Sequence, residues 1–578
     1  MDCHGTVNML FYVSSSCVRI KHEMGGILLK KRLLAICFVC VLALTGCAGK
    51  ADHAYTTVIA GESQFNGVFS PFFSTNAYDK HAYQFAFDTL ISYDSQGQPA
   101  PGLADYTIEE KDDETVYTFH LKQDVNFSDG KPMTAQDLLF NILIYCDPSY
   151  DGSSTMSTVD IVGLEEYKNG DADEIAGVRV VDDKTLEVRV NGIDPSAIYK
   201  FVFEVAPAHY YGTDDNGNTW VKGDLTVVKS RNDKPMGSGA YVFESFQNNI
   251  VTLRANENYW QGAPKTPTIK LQVNSNANKL EAVKQGEIDI SSPNANPESV
   301  KMAEEAGLYP VMIDNPGYGY IGINADRVPD KNIRKAMMHL MNRAPAIQTY
   351  YGDLATIIER PMSTTSWAYP KGAEEFYGFN PEKALEYFKA AGYKQVAENG
   401  RTVLKKDGVQ FRIEIAIGGE GTMDHPSAPI LTQMKTELEK LGGILDITDT
   451  DSAILFDKMK AGEWDMFVAA WSATPDPDMY QLYHSEGTTN HYRIKNEELD
   501  RLIEAGRSTT DIEERKEIYA QVLDLIMDEA VEMPVYQRMN MIVFNPKVVN
   551  TESLIKEATP YRQPFYDNYF SVHTLELN

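Results

Sequence analysis

One apolar run near the N-terminus constrains this chain more than any other feature. Leu33 to Leu44 forms twelve consecutive apolar residues, directly after the basic residues Lys30, Lys31 and Arg32. A helix of that length rises about 18 Å, which is too short to cross a hydrocarbon core about 30 Å thick. A basic start, a short apolar run and small residues after it are typical of a secretory signal peptide. We therefore predict that the remaining chain folds outside the cytoplasm.

The end of this run carries a second signal. Residues 44–47 read Leu-Thr-Gly-Cys, which resembles the bacterial lipobox, in which the cysteine is diacylated on sulfur and becomes the mature N-terminus. We therefore expect a signal peptide over residues 1–46, a lipid on Cys47 and a short tether over residues 47–54. The alternative is an ordinary signal peptide in which Cys47 is incidental. The expected location is extracytoplasmic, anchored to the cell membrane by the lipid.

The cysteines fit this interpretation. The chain has six cysteines, and Cys146 is the only one that follows Cys47. With Cys47 lipidated, no intramolecular disulfide is possible, so a disulfide-stapled scaffold is excluded. Met24 precedes the basic cluster, and a start at Met24 gives a signal peptide of ordinary length. Residues 1–23 are therefore left out of the fold prediction.

Length and charge bound the class of protein. At roughly 100–200 residues per domain, a chain of 578 residues predicts two to four domains. Apolar residues make up 43% of the chain, which is enough to build packed cores. The formal net charge of -29 argues against a nucleic-acid partner, because such a partner requires a basic surface.

Strand and helix patterns alternate along the chain without an internal repeat. Residues 116–121 are rich in strand-forming types, and residues 186–190 alternate apolar and polar as a half-buried strand does. Apolar spacing and capping residues predict helices after Thr134, over residues 333–341, over residues 381–391 and over residues 512–526. The mixture indicates an α/β or α+β architecture whose domains contact each other closely.

Motifs of common enzymes are missing. The sequence lacks the phosphate-binding loop GxxxxGK[ST], the zinc motif HExxH and the nucleophile elbow GxSxG. Gly317, Gly319 and Gly322 match the dinucleotide-binding spacing GxGxxG, but residues 321–324 continue as strand-like sequence where that motif requires a helix. We therefore predict no cofactor, no metal site and no catalytic residue, and an enzyme such as a surface hydrolase is not supported.

The segment after the first strands carries a family pattern. Residues 103–105 read LAD, residues 117–122 read YTFHLK, and residues 125–137 read VNFSDGKPMTAQD. This pattern is similar to the signature of family 5 extracellular solute-binding proteins, the oligopeptide and dipeptide receptors of ABC importers. Further similar segments lie at residues 70–72, 87–90, 236–241, 254–260, 286–289 and 330–343. The resemblance extends from about residue 55 to about residue 570.

The resemblance implies an α/β fold. It is a two-lobed clamshell of the type II periplasmic-binding-protein kind with an additional third domain. The implied boundaries are residues 55–95, 206–317 and 535–578 for domain I, 96–205 for domain II and 318–534 for domain III. The ligand is expected between the lobes, and closure is expected to bury its polar groups.

The resemblance also implies ligand-binding residues. Family receptors hold a peptide's α-amino group with an aromatic residue and an acid in domain III, and Trp471 matches the aromatic position. Thr474 stands where peptide receptors usually carry Asp; Asp476 is either a shifted substitute or a turn residue before Pro477. The other implied candidates are Tyr318 and Tyr320 near the hinge, Thr75 and Asn76 in the opening loop, and Asn490 beside the cleft. A packing role for one of the two tyrosines is the alternative.

The expected partners follow from the same resemblance. They are a peptide or other small solute, ABC permease subunits with cytoplasmic ATPases, and the membrane through the N-terminal lipid, with the receptor a monomer. Because Thr474 departs from the family pattern, a nickel chelate, an opine or a sugar is an alternative ligand. A peptide-sensing lipoprotein that signals without transport is an alternative function.

Overall fold

The structure is a computed structural model, and it describes residues 55–111, 113–418, 425–565 and 572–578. Strands and helices alternate along these residues. The strands are β1 Thr57–Glu62, β2 Ile91–Tyr93, β3 Pro99–Pro101, β4 Ala104–Lys111, β5 Glu114–Leu121, β6 Val178–Asp182, β7 Thr185–Asn191, β8 Tyr241–Gln247, β9 Ile250–Ala255, β10 Thr268–Val273, β11 Ile290–Ser291, β12 Tyr309–Asp314, β13 Tyr318–Ile323, β14 Ala355–Thr356, β15 Lys394–Glu398, β16 Arg401–Lys406, β17 Val409–Gln410, β18 Arg412–Gly418, β19 Ile444–Thr450, β20 Met466–Trp471 and β21 Glu532–Phe544. The helices are α1 Ala77–Gln84, α2 Ala135–Tyr145, α3 Leu164–Asn169, α4 Ala197–Lys200, α5 Ala208–Tyr211, α6 Thr226–Lys229, α7 Lys279–Gln285, α8 Pro297–Glu305, α9 Lys331–Met338, α10 Arg343–Tyr351, α11 Pro381–Ala390, α12 Ala428–Leu441, α13 Ser452–Ala461, α14 Tyr480–Tyr483, α15 Glu497–Gly506 and α16 Ile512–Glu529.

The expected signal peptide, the lipid on Cys47 and the tether lie outside the described residues. From Tyr55 onward the chain forms one compact unit. Within its described part, no helix has both the length and the apolar character that a membrane crossing requires.

A twelve-stranded mixed sheet organises the fold, and β21 is its central connection. The strand order is β19-β18-β20-β13-β21-β11-β1-β10-β9-β8, and β12 and β14 also pair with β21. The first half of β21 pairs with β13, where Glu532 lies opposite Gly322. Its second half pairs with β12 and β11, where Met539 lies opposite Asp314. Thirteen residues of one strand therefore connect two halves of the sheet.

These halves define two lobes. We call residues 55–317 and 535–578 the first lobe, and residues 318–534 the second lobe. One core cluster in the first lobe runs from Val58 to Leu575 and includes Val188 of the separate sheet β4-β5-β7-β6. Predicted domains I and II therefore share a core, although their boundaries stay predictions.

The second lobe has two cores on opposite faces of β13. Tyr318 and Tyr320 pack into one core, and Ile321 and Ile323 pack into the other. This division follows from the two-residue period of a strand. It sends both tyrosines to the face that carries Trp367 and helix α16.

The GxGxxG segment is a strand, as predicted. A Cβ on Gly319 would lie 2.6 Å from the ring of Tyr536, and one on Gly322 would lie 2.4 Å from the ring of Phe467. The glycines therefore let aromatic side chains of neighbouring strands lie against β13.

Most predicted elements are confirmed. Strands β5 and β7 cover the predicted segments, and Thr134 caps α2, with its backbone N–H donating to Asp137 Oδ2 at 2.9 Å. The prediction for residues 333–341 was wrong at its end, because α9 stops at Met338. Pro345 lies in the first turn of α10; it has no N–H to donate to the carbonyl four residues earlier, so one helix cannot continue through both segments.

Candidate ligand-binding site

A cavity of about 470 Å³ lies where the two lobes meet. Residues 364–371 and Lys516 line it from the second lobe, and Ser95, Gln96, Asp314 and residues 558–560 line it from the first. Its size falls in the roughly 300–1,000 Å³ range of small-molecule pockets. Hydroxyl, amide and charged groups from both lobes therefore face one space.

A buried hydrogen bond joins the lobes beside this cavity. The indole N–H of Trp367, which lines the cavity, donates to the hydroxyl of Tyr199 at 3.1 Å. The ring of Tyr199 in turn stacks on Tyr93 with 6.3 Å between centroids. At the lobe surface, Thr510 donates to Glu110 Oε1 at 2.6 Å. The lobes are thus in direct contact in this structure.

Asp476 lies behind this contact in an ion pair that the sequence analysis did not anticipate. Its carboxylate accepts from Arg515 Nη2 at 3.0 and 3.2 Å, and both side chains are buried. The Arg515 guanidinium also lies over the ring of Trp367, 5.3 Å from its centroid. Burial raises the pKa of the Asp476 carboxyl, and the positive charge of Arg515 opposes that rise.

The turn offered as one alternative for Asp476 is present. Asp476 Oδ1 accepts from the backbone N–H of Asp478 at 2.8 Å, and the exposed Thr474 donates from its hydroxyl to the Asp476 carbonyl at 2.8 Å. A ligand ammonium at Asp476 would share the carboxylate with Arg515. Binding of an amine there stays a prediction.

Trp471 ends strand β20 and rests on other aromatic rings. Its indole stacks on Tyr320 at 5.8 Å between centroids and lies parallel to His491 at 6.5 Å. Tyr318 lies directly opposite Trp471 in the pairing of β13 with β20. The structure therefore brings three predicted residues together, with Trp471 half-buried above two buried tyrosines.

A buried carboxyl lies beneath this aromatic group. Glu532 Oε2 accepts from the hydroxyl of Tyr483 at 2.7 Å and from the hydroxyl of Tyr492. Burial raises the pKa of Glu532 to about 7, against the opposing effect of hydrogen bonds from Tyr492, Tyr483 and Tyr318. We call Glu532, Tyr318, Tyr483 and Tyr492 the Glu532 cluster.

None of the eight predicted residues lines the 470 Å³ cavity, and three of them lie in other parts of the structure. Asn76 caps α1, accepting from the N–H of Tyr78 at 2.7 Å, and Thr75 is exposed just before it. Asn490 is buried and donates to the carbonyls of His484 and Ile494. These groups have local structural roles, and ligand contacts by them stay predictions.

A second buried carboxyl lies inside the first lobe. Asp88 Oδ1 accepts from the hydroxyl of Tyr259 at 3.0 Å, and Oδ2 accepts from Trp260 Nε1 at 2.9 Å and from Ser238 Oγ at 3.3 Å. Burial raises its pKa to about 7, while these three donors oppose the rise. We call these four residues the Asp88 cluster.

Three segments of the family resemblance meet in this cluster. Asp88 belongs to residues 87–90, Ser238 to residues 236–241, and Tyr259 with Trp260 to residues 254–260. The packing of the Asp88 cluster therefore gives these three motifs a structural role that does not involve a ligand.

Sequence reasoning missed Trp367, Arg515, Tyr199 and Glu532. One of them left a signal, since Arg515 falls at helical spacing between Ile512 and Tyr519 on the apolar stripe of α16. A charged residue in such a stripe needs a buried partner of opposite charge. Nothing in the local sequence identified Asp476 as that partner. Within the described residues, no group of three or more His, Cys, Asp or Glu side chains is arranged to hold a metal ion.

Comparisons with known proteins agree with this architecture. The model of bacterial extracellular solute-binding proteins, family 5 Middle, matches residues 98–493. The oligopeptide-binding protein AppA of Bacillus subtilis is 26% identical over 522 residues, covering 86% of this chain and 91% of AppA. The nickel-binding periplasmic protein of Escherichia coli is 22% identical over 498 residues, covering 81% of this chain and 87% of its own.

A solved structure shows the same fold. The ABC transporter substrate binding protein CtaP of Listeria monocytogenes superposes with a TM-score of 0.72 at 20% identity, covering 91% of this chain and 99% of CtaP. This similarity confirms the predicted two-lobed α/β fold of type II. With a family model that matches more than half of its residues, this chain belongs to the family 5 bacterial extracellular solute-binding proteins.

Proposed function

We propose that this protein is the extracytoplasmic receptor of an ABC importer and that it captures peptides between its lobes for import. The observation that carries the proposal is the similarity to an oligopeptide-binding protein over 86% of the chain. The cavity between the lobes supports it, because hydroxyl and charged groups from both lobes face that space.

Peptide capture fits the end of strand β20. Residues 472–475 leave the sheet after Trp471, and Ser472 and Thr474 are exposed. Backbone amides are alike in every peptide, so an extended ligand can pair with such a segment whatever its sequence. Trp471, backed by Tyr318 and Tyr320, supplies an aromatic face beside it. We therefore place Trp471, Thr474 and the two tyrosines at the ligand site.

Asp476 is the proposed partner of the ligand's α-amino group. An ammonium reaching it forms a charge-assisted hydrogen bond, worth roughly 1.5–3 kcal/mol, while Arg515 keeps its own contact. Asp476→Asn is expected to lower peptide affinity about tenfold or more. The same change removes the counter-charge of Arg515, so the expected destabilisation is about 3–5 kcal/mol.

A matched pair of variants separates the two effects. Asp476→Leu with Arg515→Met removes both charges, and such replacements are often neutral for stability. If Asp476 holds the amine, this double variant is expected to fold stably but to bind peptide more weakly than the wild type. Wild-type affinity in the stable double variant would remove Asp476 from the ligand site.

Closure follows from the ligand's preference for the closed state. A ligand shifts the lobes only by as much as its affinity differs between open and closed forms. Each ligand polar group buried on closure needs a partner, or it costs roughly 1–3 kcal/mol. The hydrogen bond between Trp367 and Tyr199 adds a contact that exists only when the lobes meet.

The anchoring is also part of the proposal. A lipid on Cys47 keeps the receptor at the cell membrane, beside the permease subunits and the cytoplasmic ATPases that power import. Mass spectrometry of the N-terminal peptide from membrane-extracted protein is expected to find a diacylated Cys47. Cys47→Ala should remove this modification, and recovery of an unmodified Cys47 from the wild-type protein would contradict the anchor.

The experiment that tests the function is native mass spectrometry of the purified protein, followed by calorimetry with the recovered compound. Peptides that bind at micromolar affinity or tighter, to a monomer, and that are recovered uncleaved are the expected result. Recovery of a metal chelate, an opine or a sugar alone would favour the alternative ligands. Peptide binding without peptide uptake in cells would favour the alternative function of a peptide-sensing lipoprotein.

A further inference from the structure

Trp471 is connected to a buried carboxyl group through one tyrosine. Its indole N–H donates to the Tyr492 hydroxyl at 3.1 Å, and that hydroxyl donates to Glu532 Oε2. Tyr483 donates to the same oxygen at 2.7 Å, and its ring stacks on that of Tyr492 with 5.2 Å between centroids and 6° between planes. The side chain at the ligand site and the buried carboxyl therefore belong to one hydrogen-bonded chain.

The surroundings of Glu532 are otherwise aromatic. Its side chain has 0% of its surface exposed. The titratable groups that face it are the hydroxyls of Tyr318 and Tyr320 on β13, Tyr483 on α14 and Tyr492 in the loop before α15. Burying a carboxyl group is costly, so such a group is expected to have a use in the structure or the site.

The position of Glu532 in the fold indicates that use. Glu532 is the first residue of β21 and pairs with Gly322 on β13. The same strand continues into the sheet of the first lobe, where Phe544 pairs with Ile290. The carboxyl therefore belongs to the strand that connects the lobes, and it is linked to Trp471 through Tyr492.

The charge of Glu532 fixes the direction of the hydrogen bonds. An indole nitrogen only donates, so the Tyr492 hydroxyl must offer it a lone pair and send its own proton elsewhere. A carboxylate is an acceptor only, and a hydrogen bond to it is roughly twice as strong as a neutral one. A protonated carboxyl is a weaker acceptor and carries a donor of its own, which loosens this arrangement.

We propose that Glu532 is a positioning residue of the ligand site, whose carboxylate acts through Tyr492 to hold the Trp471 indole in the orientation that meets the ligand. The proposal rests on the proposed function only in taking Trp471 as a ligand contact. Since burial raises the pKa of Glu532 to about 7, the orientation of Trp471 is expected to change with pH near neutrality.

The first experiment needs no ligand. The emission of Trp471 is isolated as the difference between each protein and the same protein carrying Trp471→Phe, measured from pH 5 to pH 9. The wild-type difference is expected to titrate near pH 7, and the titration is expected to disappear in Glu532→Gln and in Tyr492→Phe. Asp88→Asn is the matched control, because it alters a buried carboxyl with a similar pKa in the other lobe and should keep the titration.

The second experiment uses a random nonapeptide pool that lacks tryptophan, with affinity measured by calorimetry at pH 5.5 and pH 8. Wild type and Asp88→Asn are expected to bind about fivefold to tenfold more tightly at pH 8, because a hydrogen bond to a carboxylate is roughly twice as strong as one to a neutral carboxyl. Glu532→Gln is expected to bind weakly at both values while its urea unfolding remains cooperative.

The outcomes separate this inference from the proposed function. A wild-type Trp471 emission that is flat across pH, or a titration that Glu532→Gln retains, overturns the positioning role. If neither the wild type nor any variant binds the peptide pool but the Trp471 emission titrates as expected, the proposed peptide function is wrong. The control of Trp471 by Glu532 then still holds.

Discussion

The Asp88 cluster and the Glu532 cluster solve the same physical problem in different ways. Each contains a fully buried carboxyl group whose pKa is raised to about 7 by burial. Asp88 uses both oxygens, accepting from a tyrosine, a tryptophan and a serine. Glu532 accepts from the hydroxyls of Tyr483 and Tyr492 on Oε2, and Tyr492 in turn accepts from the Trp471 indole.

The difference between the clusters lies in what each carboxyl group connects. Asp88 ties three segments of the first lobe together and is complete, as a structural group should be. Glu532 lies at the start of the strand that connects the lobes and is linked to Trp471 through Tyr492. This link places a buried carboxyl group beside the proposed ligand site, where a sequence is expected to accept a loss of stability for function.

The largest expected effect breaks the Asp88 cluster. Asp88→Ala leaves the buried donors of Tyr259, Trp260 and Ser238 without this acceptor, so we expect a loss of about 3–5 kcal/mol at pH 5. Urea unfolding measures this loss of stability. The loss should shrink at pH 8, where the wild type must carry a buried charge. A change below about 1 kcal/mol at pH 5 would show that the cluster is not the structural tie described above.

The next effect concerns the pH dependence of folding stability, to which both clusters contribute. Both carboxyls have a folded pKa of about 7, above ordinary values of 3.8 and 4.5, so the folded chain holds these protons longer than the unfolded chain does. Their contribution to the free energy of unfolding is fully present below about pH 4 and is lost as the pH rises through about 7. Each contributes on the order of 3 kcal/mol.

The double variant Asp88→Asn with Glu532→Gln tests this sign. The wild-type free energy of unfolding should fall from pH 5 to pH 8, and the double variant should show a much flatter profile. An equal slope in both proteins would mean that other groups control the pH dependence.

A smaller effect compares the clusters by equivalent changes. Glu532→Gln keeps an acceptor for Tyr483 and Tyr492, whose hydroxyls can also rotate, so we expect a loss of stability of about 1–2 kcal/mol at pH 5. Asp88→Asn places an amide NH₂ group among three donors and should lower stability by more. Urea unfolding of the two variants side by side checks the order, and a larger loss for Glu532→Gln would reverse the comparison.

The smallest effect lies outside both clusters, at the contact between the lobes. Tyr199→Phe removes the acceptor of the Trp367 indole N–H, so peptide affinity should fall roughly twofold to tenfold. Stability should hardly change. Calorimetry with the nonapeptide pool measures the affinity, with Tyr93→Phe as a control that keeps this hydrogen bond. Unchanged affinity would show that the contact does not contribute to the closed state.

Much of the fold was predictable because its signals are local. Residues 186–190 alternate in burial as expected of β7, and the Thr134 cap and the long helix α16 are set by residues a few positions apart. The end of α9 was not predicted, since the apolar spacing continues past Met338 while a proline farther along prevents a single helix.

The candidate site was only partly predictable. Trp471, Tyr318 and Tyr320 were identified through the family resemblance, and the structure brings them together on neighbouring strands. The partner of Asp476 was missed, because Arg515 lies 39 residues away in the sequence. The hydrogen bond between Tyr199 and Trp367 spans 168 residues, and no local pattern indicates such a pair.

The sequence by itself determined the alternation of strands and helices, the family and the apolar faces, because each depends on residue type at short, regular spacing. Only the tertiary structure decided which buried acid meets which donors. Asp88 is 150 to 172 residues from its partners, and Glu532 is 40 and 49 residues from Tyr492 and Tyr483. The protonation and bonding of a carboxyl depend on the groups that packing places around it, and packing is a property of the whole chain.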